Sequence, residues 1–139
     1  MTLLRITAGP FTFVARMEEL NAPLTCRAFR KLLPFRSKVI QARWSGEAGW
    51  VPLGSFDIGV GYENHTSRPS PGEILFYPGG LSETEILIPY GITCFSSKVG
   101  RLTGNHFLTI IEGGDSLAEF GQTVLWKGAL DIEFDVAPA

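Results

Sequence analysis

The chain has 139 residues, a length that suits one domain and is too short for two domains that each bury a core. Hydrophobic residues make up 45% and charged residues 19%, which supports a packed core and excludes a chain disordered through high charge. The formal net charge of −2 supplies no positive field for nucleic acid or an anionic membrane. We therefore expect a single domain, residues 1–139, that binds neither.

The first predicted elements are a hairpin and a helix. Apolar and polar residues alternate from Leu3 to Met17 on both sides of a Gly9-Pro10 turn, which predicts two strands. Asn21 predicts the cap of a helix, with Pro23 in its first turn. The helix is predicted to end at Pro34 and to bury Leu24, Ala28, Leu32 and Leu33, with Phe29 beside them.

The middle of the chain predicts strands separated by turns. Period-two alternation covers residues 38–44, and another strand begins near Trp50 after a turn. Glycines and prolines interrupt residues 54–72, which predicts a short strand followed by a long loop. Two further strands are predicted at residues 73–77 and 83–90.

The last third predicts a strand, a short helix and a final strand. Residues 106–111 form the first strand, and residues 115–120 form a helix capped by Asp115. Apolar residues then alternate with acidic ones from Leu130 to Val136. About eight short strands with one or two helices favour a closed barrel or a sandwich, because an antiparallel sheet of this size must cover its apolar face and protect its edges.

The sequence also bears on the compartment. The first residues lack the continuous apolar region and cleavage site of a signal peptide, and no apolar run approaches the ~20 residues that span a bilayer. Cys26 and Cys94 have neither Cys-x-x-Cys nor metal-ligand spacing. We expect two free thiols in a cytoplasmic protein.

One long segment carries a resemblance to a known superfamily. Residues 72–80 read Gly-Glu-Ile-Leu-Phe-Tyr-Pro-Gly-Gly and lead to Glu-Ile-Leu-Ile-Pro-Tyr-Gly at residues 85–91. With the hairpin and the helix ending in Leu-Leu-Pro, this order resembles small bacterial barrels of the cyclophilin-like superfamily, and most closely a family of unknown function. The resemblance implies a mainly β fold, a closed eight-stranded antiparallel barrel with one or two capping helices.

The resemblance also raises prolyl isomerase activity, which the residues do not favour. Cyclophilins carry an Arg followed by Phe-Met-x-Gln-Gly-Gly-Asp after the first helix, whereas residues 35–44 here read Phe-Arg-Ser-Lys-Val-Ile-Gln-Ala-Arg-Trp. Arg36 or Arg43 offers a cation to polarise a prolyl amide, but neither has the neighbours that build a proline pocket. Isomerisation is therefore a subordinate hypothesis.

Two acidic residues and one histidine are candidates for chemistry. Glu83 and Glu85 lie two positions apart on a predicted strand, so both face one side, roughly 7 Å apart. Such a pair can bind a cation or divide acid and base roles, and it can equally form the solvated side of the strand. His106 offers proton transfer near neutral pH, or is an ordinary polar residue beside an apolar strand.

Other ligand classes have weaker signals. His65 and Glu63 could meet His106 or Glu85 at a metal, but the spacing shows no convergence and a polar loop explains them equally. The chain has no phosphate-binding glycine motif, so we expect no nucleotide, and no Gly-x-Ser-x-Gly elbow, which excludes the simplest serine hydrolase. We also expect no metal and no other cofactor. A basic stripe on the first helix indicates a solvated face or an anionic partner; it contains Arg27, Arg30 and Lys31.

Three functional hypotheses follow. In the leading one, a pocket at a barrel opening binds a small molecule or peptide without a cofactor. Its predicted lining comes from an aromatic set suited to a pocket rim and from polar neighbours, namely Arg43, Trp50, Tyr77, Glu85, Tyr90 and His106. In the second, Glu85 and His106 catalyse acid–base chemistry on an amide or carbonyl compound. In the third, copies of the chain associate through an edge or the helix as a homo-oligomer.

Overall fold

The structure is a computed structural model that describes residues 1–138. Its strands are β1 (Leu3–Ala8), β2 (Phe11–Met17), β3 (Phe35–Gln41), β4 (Gly46–Gly54), β5 (His65–Thr66), β6 (Glu73–Tyr77), β7 (Thr84–Thr93), β8 (Ser96–Ser97), β9 (Gly100–Arg101), β10 (Gly104–Glu112) and β11 (Leu130–Val136). Its helices are α1 (Pro23–Arg30), a 3-10 turn (Gly114–Ser116) and α2 (Leu117–Lys127). Neither α-helix of this described part has the length and apolar character needed to cross a membrane.

Eight strands close into an antiparallel barrel. Their order around the barrel is β2-β1-β11-β3-β4-β7-β6-β10, and pairing of β10 with β2 completes the ring. The short β5 pairs with β10, while β8 and β9 form a separate hairpin. The predicted closed eight-stranded barrel is confirmed, and closure leaves these eight strands without a free edge.

The barrel interior is an apolar core that both helices help to fill. Phe29 of α1 is fully buried and contacts a ring of aromatic side chains at centroid distances of 5.1–6.3 Å, namely Phe35, Phe76, Phe107 and Phe134. Phe120 of α2 makes similar edge contacts with Phe11, Phe13 and Tyr90. Both clusters belong to one continuous hydrophobic core. Each edge-to-face pair adds roughly 0.5–1.5 kcal/mol beyond burial.

The first helix differs from its prediction in both cap and buried face. Its N-cap is Ala22, and Asn21 does not cap it. Glu63 supplies the missing acceptor instead, because its Oε2 accepts the Thr25 backbone N–H at 2.6 Å and the hydroxyl at 2.7 Å. The helix buries Thr25, Cys26 and Phe29, whereas Leu24 is 52% exposed. The orientation of α1 is therefore set by insertion of the Phe29 ring into the barrel. It is not set by the predicted leucine face.

The second helix is longer than predicted and begins later. Asp115 lies in the 3-10 turn and does not cap α2, whose N-cap is Ser116 without a side-chain hydrogen bond. The helix then continues to Lys127 because its buried residues recur at helical spacing. Gly121 permits this packing, since a Cβ there would overlap the Tyr90 ring.

A second core lies on the outer face of the barrel. Alternate residues of β6 and β7 point inward, including Ile74 and Ile86, while their neighbours point outward and are also buried. This second core consists of Ala48, Leu75, Tyr77, Leu87, Phe95 and Leu102. Phe95 and Leu102 flank the β8–β9 hairpin and join through a 3.0 Å backbone hydrogen bond. The hairpin segment therefore covers β6 and β7 from outside and buries both of their faces.

Candidate functional site

A cleft of about 150 Å³ opens on the outer face of the barrel, at the edge of the second core. Its walls are the turn between β3 and β4, strands β4 and β7, the loop before β7 and the β8–β9 hairpin. The residues of this outer cleft are Ala42, Arg43, Trp44, Ser45, Trp50, Ser82, Glu83, Glu85, Ser96, Ser97 and Lys98. It differs from the predicted pocket at a barrel opening because Glu85 has the same orientation as outward-facing Leu87.

Glu85 forms the buried acidic group of the outer cleft. It lies at the start of β7, opposite Pro52 on β4 and Tyr77 on β6, and only 6% of it is exposed. Burial is the main cause that raises the pKa of Glu85 to about 7; the Trp50 indole N–H partly offsets it, and nearby Glu83 adds a smaller upward contribution. The solvated-strand interpretation is therefore wrong for Glu85, and Glu83 is exposed but lies in the loop just before β7.

Trp50 brings a buried hydrogen-bond donor to the same place. Its Nε1 atom makes no hydrogen bond of good geometry with residues 1–138, although it is close enough to the Glu85 carboxyl to lower that group's pKa. The Arg43 guanidinium lies over the Trp50 ring, 5.3 Å from its centroid. A buried donor without a good acceptor is uncommon and calls for a functional explanation.

The walls of the outer cleft are held together by hydrogen bonds. Ser45 Oγ accepts the Ser96 backbone N–H at 3.0 Å and donates to the Ser96 carbonyl at 3.2 Å. The Cys94 N–H also donates to the Ser45 carbonyl at 3.0 Å. These bonds fix the hairpin against the turn between β3 and β4, which carries Arg43 and Trp44. The rim is therefore preorganised.

The two nominated tyrosines do not line the outer cleft. Tyr77 is fully buried in the second core, and its hydroxyl accepts the Leu81 and Ser82 N–H groups at 3.0 and 3.2 Å. It thereby holds the loop that leads to Glu83. Tyr90 packs inside the barrel against Phe120 and donates its hydroxyl to Gln41 Oε1 at 2.7 Å. Their roles in the structure are to hold neighbouring chain segments.

His106 belongs to a different polar network. Its Nε2 lies 2.7 Å from the hydroxyl of Thr109, which donates to Glu18 Oε2 at 2.7 Å. Burial raises the pKa of Glu18, but the hydrogen bonds from Thr109 and Arg16 outweigh it and leave the pKa below its ordinary value. Because Thr109 has a single hydroxyl proton, His106 Nε2 must be the donor in their contact. His106 does not line the outer cleft, so it does not join Glu85 there.

The residues considered for a metal have other partners. The Glu63 carboxylate binds Thr25 at the start of α1, and His65 packs against the Tyr62 ring with centroids 5.6 Å apart. Within residues 1–138 no group of three or more His, Cys, Asp or Glu side chains is arranged to hold a metal ion. Glu63 and His65 instead anchor the long loop between β4 and β6.

Comparison with known proteins gives a family and a fold. The family described as "Protein of unknown function (DUF3830)" matches residues 4–136. The chain belongs to this family. No curated protein matches it significantly.

Two solved structures show the same fold at low identity. McbB, solved in complex with tryptophan, has a TM-score of 0.67 at 18% identity, covering 95% of this chain and 44% of McbB. The hypothetical protein AF2241 from Archaeoglobus fulgidus has a TM-score of 0.66 at 19% identity, covering 98% of this chain and 95% of AF2241. This DUF3830 chain thus spans less than half the length of McbB.

Some cleft residues of the DUF3830 chain were not nominated from its sequence. Trp44, Lys98 and the serines of the hairpin are absent from the predicted pocket lining. Residues 94–103 received no predicted element. The available signal was a pair of large apolar residues, Phe95 and Leu102, in a mainly polar segment, which indicates a second buried surface.

Proposed function

We propose that this DUF3830 protein is a cyclophilin-like barrel that binds a small organic molecule in its outer cleft without a cofactor. One observation carries the proposal: a buried carboxyl, an indole N–H without a hydrogen bond of good geometry and a guanidinium meet in a single recess, at Glu85, Trp50 and Arg43. A few convergent polar groups with a perturbed pKa are typical of ligand sites.

The size of the recess favours a small molecule over a peptide. A volume of about 150 Å³ lies below the ~300–1,000 Å³ of sites for drug-sized ligands. The tryptophan complex of McbB supports a small organic ligand on a chain that contains this fold, without locating it here. The unpaired thiols of Cys26 and Cys94 support the proposed cytoplasmic location. Association of copies stays a prediction.

The test is a screen of small metabolites by 1H–15N NMR, with binding read at the tryptophan indole signals. We expect a specific ligand to shift the Trp50 Nε1–H signal and to leave that of Trp126, on α2, unchanged. Trp50→Phe should lose affinity, whereas the matched Trp126→Phe variant should not, because Trp126 is 76% exposed and its N–H bonds to Gln122. Ligand shifts confined to the barrel interior would refute the site.

A second candidate is acid–base catalysis by Glu85. The pKa of about 7 matches a group that must both take up and release a proton near neutral pH. We propose Glu85 without His106 for this role, because His106 does not line the outer cleft. For any carbonyl substrate found by a turnover screen, Glu85→Gln should abolish the inflection near pH 7 in kcat/KM, and His106→Gln should preserve it. The reverse result would exclude Glu85 as the proton carrier.

A further inference from the structure

Arginine, lysine and indole donors outnumber the carboxyl groups among the side chains of the outer cleft, where Glu83 is the exposed acid. Trp50 presents its indole N–H, Arg43 its guanidinium and Lys98 its ammonium group. Within residues 1–138 neither Arg43 nor Lys98 forms an ion pair, since the three salt bridges there involve other cations. Two cations and a buried N–H in one recess match a ligand that is rich in acceptors and negatively charged.

Three of the four cleft serines, Ser45, Ser96 and Ser97, add few free groups to this set. Ser45 Oγ both accepts from and donates to the Ser96 backbone. Ser96 Oγ donates to the Cys94 carbonyl at 3.1 Å, and Ser97 Oγ accepts the Val99 N–H at 3.1 Å. Their hydrogen bonds are directed mainly to the hairpin backbone. The charged residues and Trp50 therefore determine the ligand chemistry.

Glu85 completes the donor set when it carries a proton. Glu83 lies in the loop just before β7, Tyr77 lies opposite Glu85 on β6, and Arg43 and Lys98 belong to the cleft walls. Burial and the repulsion from Glu83 both favour the neutral acid. A neutral Glu85 donates an O–H to a ligand, whereas an ionised one repels a ligand anion. The charge of the ligand and the proton on Glu85 are therefore linked.

Resting on the proposed function of this cleft, we propose that its ligand is a small aromatic carboxylate, bound together with a proton on Glu85. Arg43 and Lys98 neutralise the ligand carboxylate, and the Trp50 N–H and the Glu85 O–H donate to its oxygens. The exposed ring of Trp44 provides a surface for the aromatic part. When Glu85 holds its proton, an amine would meet two cations and only the one further carboxyl group of Glu83, and a neutral amide would bring no charge to balance either cation.

The pH dependence has a definite sign. A bound anion raises the pKa of Glu85 above its free value of about 7, so binding takes up a proton and weakens as the pH rises through that value. If only the protonated site binds, the Kd increases about tenfold between pH 6 and pH 8. Half a proton should be taken up per ligand near pH 7, because about half of the free sites already hold one.

The experiment uses isothermal titration calorimetry with four probes of one shape: 3-phenylpropionate, 3-phenylpropanamide, 3-phenylpropylamine and L-phenylalanine. We expect 3-phenylpropionate to bind at least tenfold more tightly than the other three. Its Kd should follow the pH dependence above, and proton uptake is measured in buffers of different ionisation enthalpy. Preference for the amine or the amino acid would overturn the ligand class and leave the binding cleft intact.

Matched variants test the proton itself. Glu85→Gln should bind 3-phenylpropionate with a Kd that no longer changes between pH 6 and pH 8, since glutamine donates N–H without titrating. Glu119→Gln, on the exposed side of α2, should behave as the unmodified protein. An unchanged pH dependence in folded Glu85→Gln would refute the role of Glu85. Failure of every probe alongside a hit in the metabolite screen would refute the carboxylate, and failure of both would refute the cleft as a site.

Discussion

The barrel interior and its outer face bury their apolar and polar side chains in different ways. The interior places apolar rings around Phe29, and its buried polar groups are paired: Asn105 Nδ2 donates to Thr25 Oγ1 at 3.0 Å and to the Gly61 carbonyl at 2.9 Å. The outer face has a smaller core, and at its edge the Trp50 N–H is buried without a hydrogen bond of good geometry, beside the buried Glu85 carboxyl. Filled and paired regions specify the fold, whereas unpaired buried groups indicate function.

The largest expected effect on the free energy of unfolding comes from a substitution in the barrel interior. Phe29→Ala should lower the free energy of unfolding by about 3–5 kcal/mol, because it removes a fully buried ring with four aromatic partners. Urea denaturation followed by tryptophan fluorescence measures the loss. Leu24→Ala on the same helix is the control and should cost less than about 1 kcal/mol, since Leu24 is half exposed. Equal losses would mean that Phe29 is not central to the core.

The second prediction concerns the outer core. Phe95→Ala should cost about 3 kcal/mol, because Phe95 is fully buried and packs edge-on against Tyr77. Its effect should be local, since only the hairpin segment and the second core depend on it. Hydrogen exchange should quicken in residues 94–103 while the amides of β1 and β2 remain protected. Uniform loss of protection would show that the two cores unfold as one.

The same contrast explains what could be predicted from sequence. Gly72 and Pro78 bound an apolar run whose ends were therefore predictable, and β6 occupies residues 73–77. Alternation likewise predicted β1, β2 and β11. The total of about eight predicted strands indicated a barrel. Such local patterns depend only on neighbouring residues, so they can be recognised without knowledge of the tertiary contacts.

The outer face depends on contacts between distant parts of the chain. Phe95 lies in an irregular segment and meets Tyr77 only after folding, so no periodicity predicts the second core. Glu85 was nominated on a strand-face argument that could not distinguish burial from solvation. The buried face of helix α1 was equally hard to predict from local sequence. Phe29 is buried because the helix packs at the barrel opening, and leucine spacing does not predict that contact.

The third prediction tests the buried acid of the outer face. The pKa of Glu85 is about 7 in the folded protein against an ordinary 4.5, so its neutral form stabilises the fold below pH 4.5, and this stability is lost as the pH rises towards 7. The difference in unfolding free energy between Glu85→Gln and the unmodified protein should therefore change in favour of the variant by roughly 2–3 kcal/mol from pH 5 to pH 8. Denaturant unfolding at both pH values measures it, with Glu119→Gln as control. A constant difference would contradict a buried, titrating Glu85.

The smallest effect on stability separates the rim of the outer cleft from both cores. Trp44 is 58% exposed, so Trp44→Ala should change the free energy of unfolding by less than about 0.5 kcal/mol. The same variant should bind 3-phenylpropionate about fivefold more weakly, because a stacked ring contributes roughly 0.5–1.5 kcal/mol. Trp126→Ala, which removes an exposed ring far along the chain on α2, should alter neither quantity. A large loss of stability with Trp44→Ala would assign this ring to the second core, whereas unchanged affinity would remove it from the ligand surface.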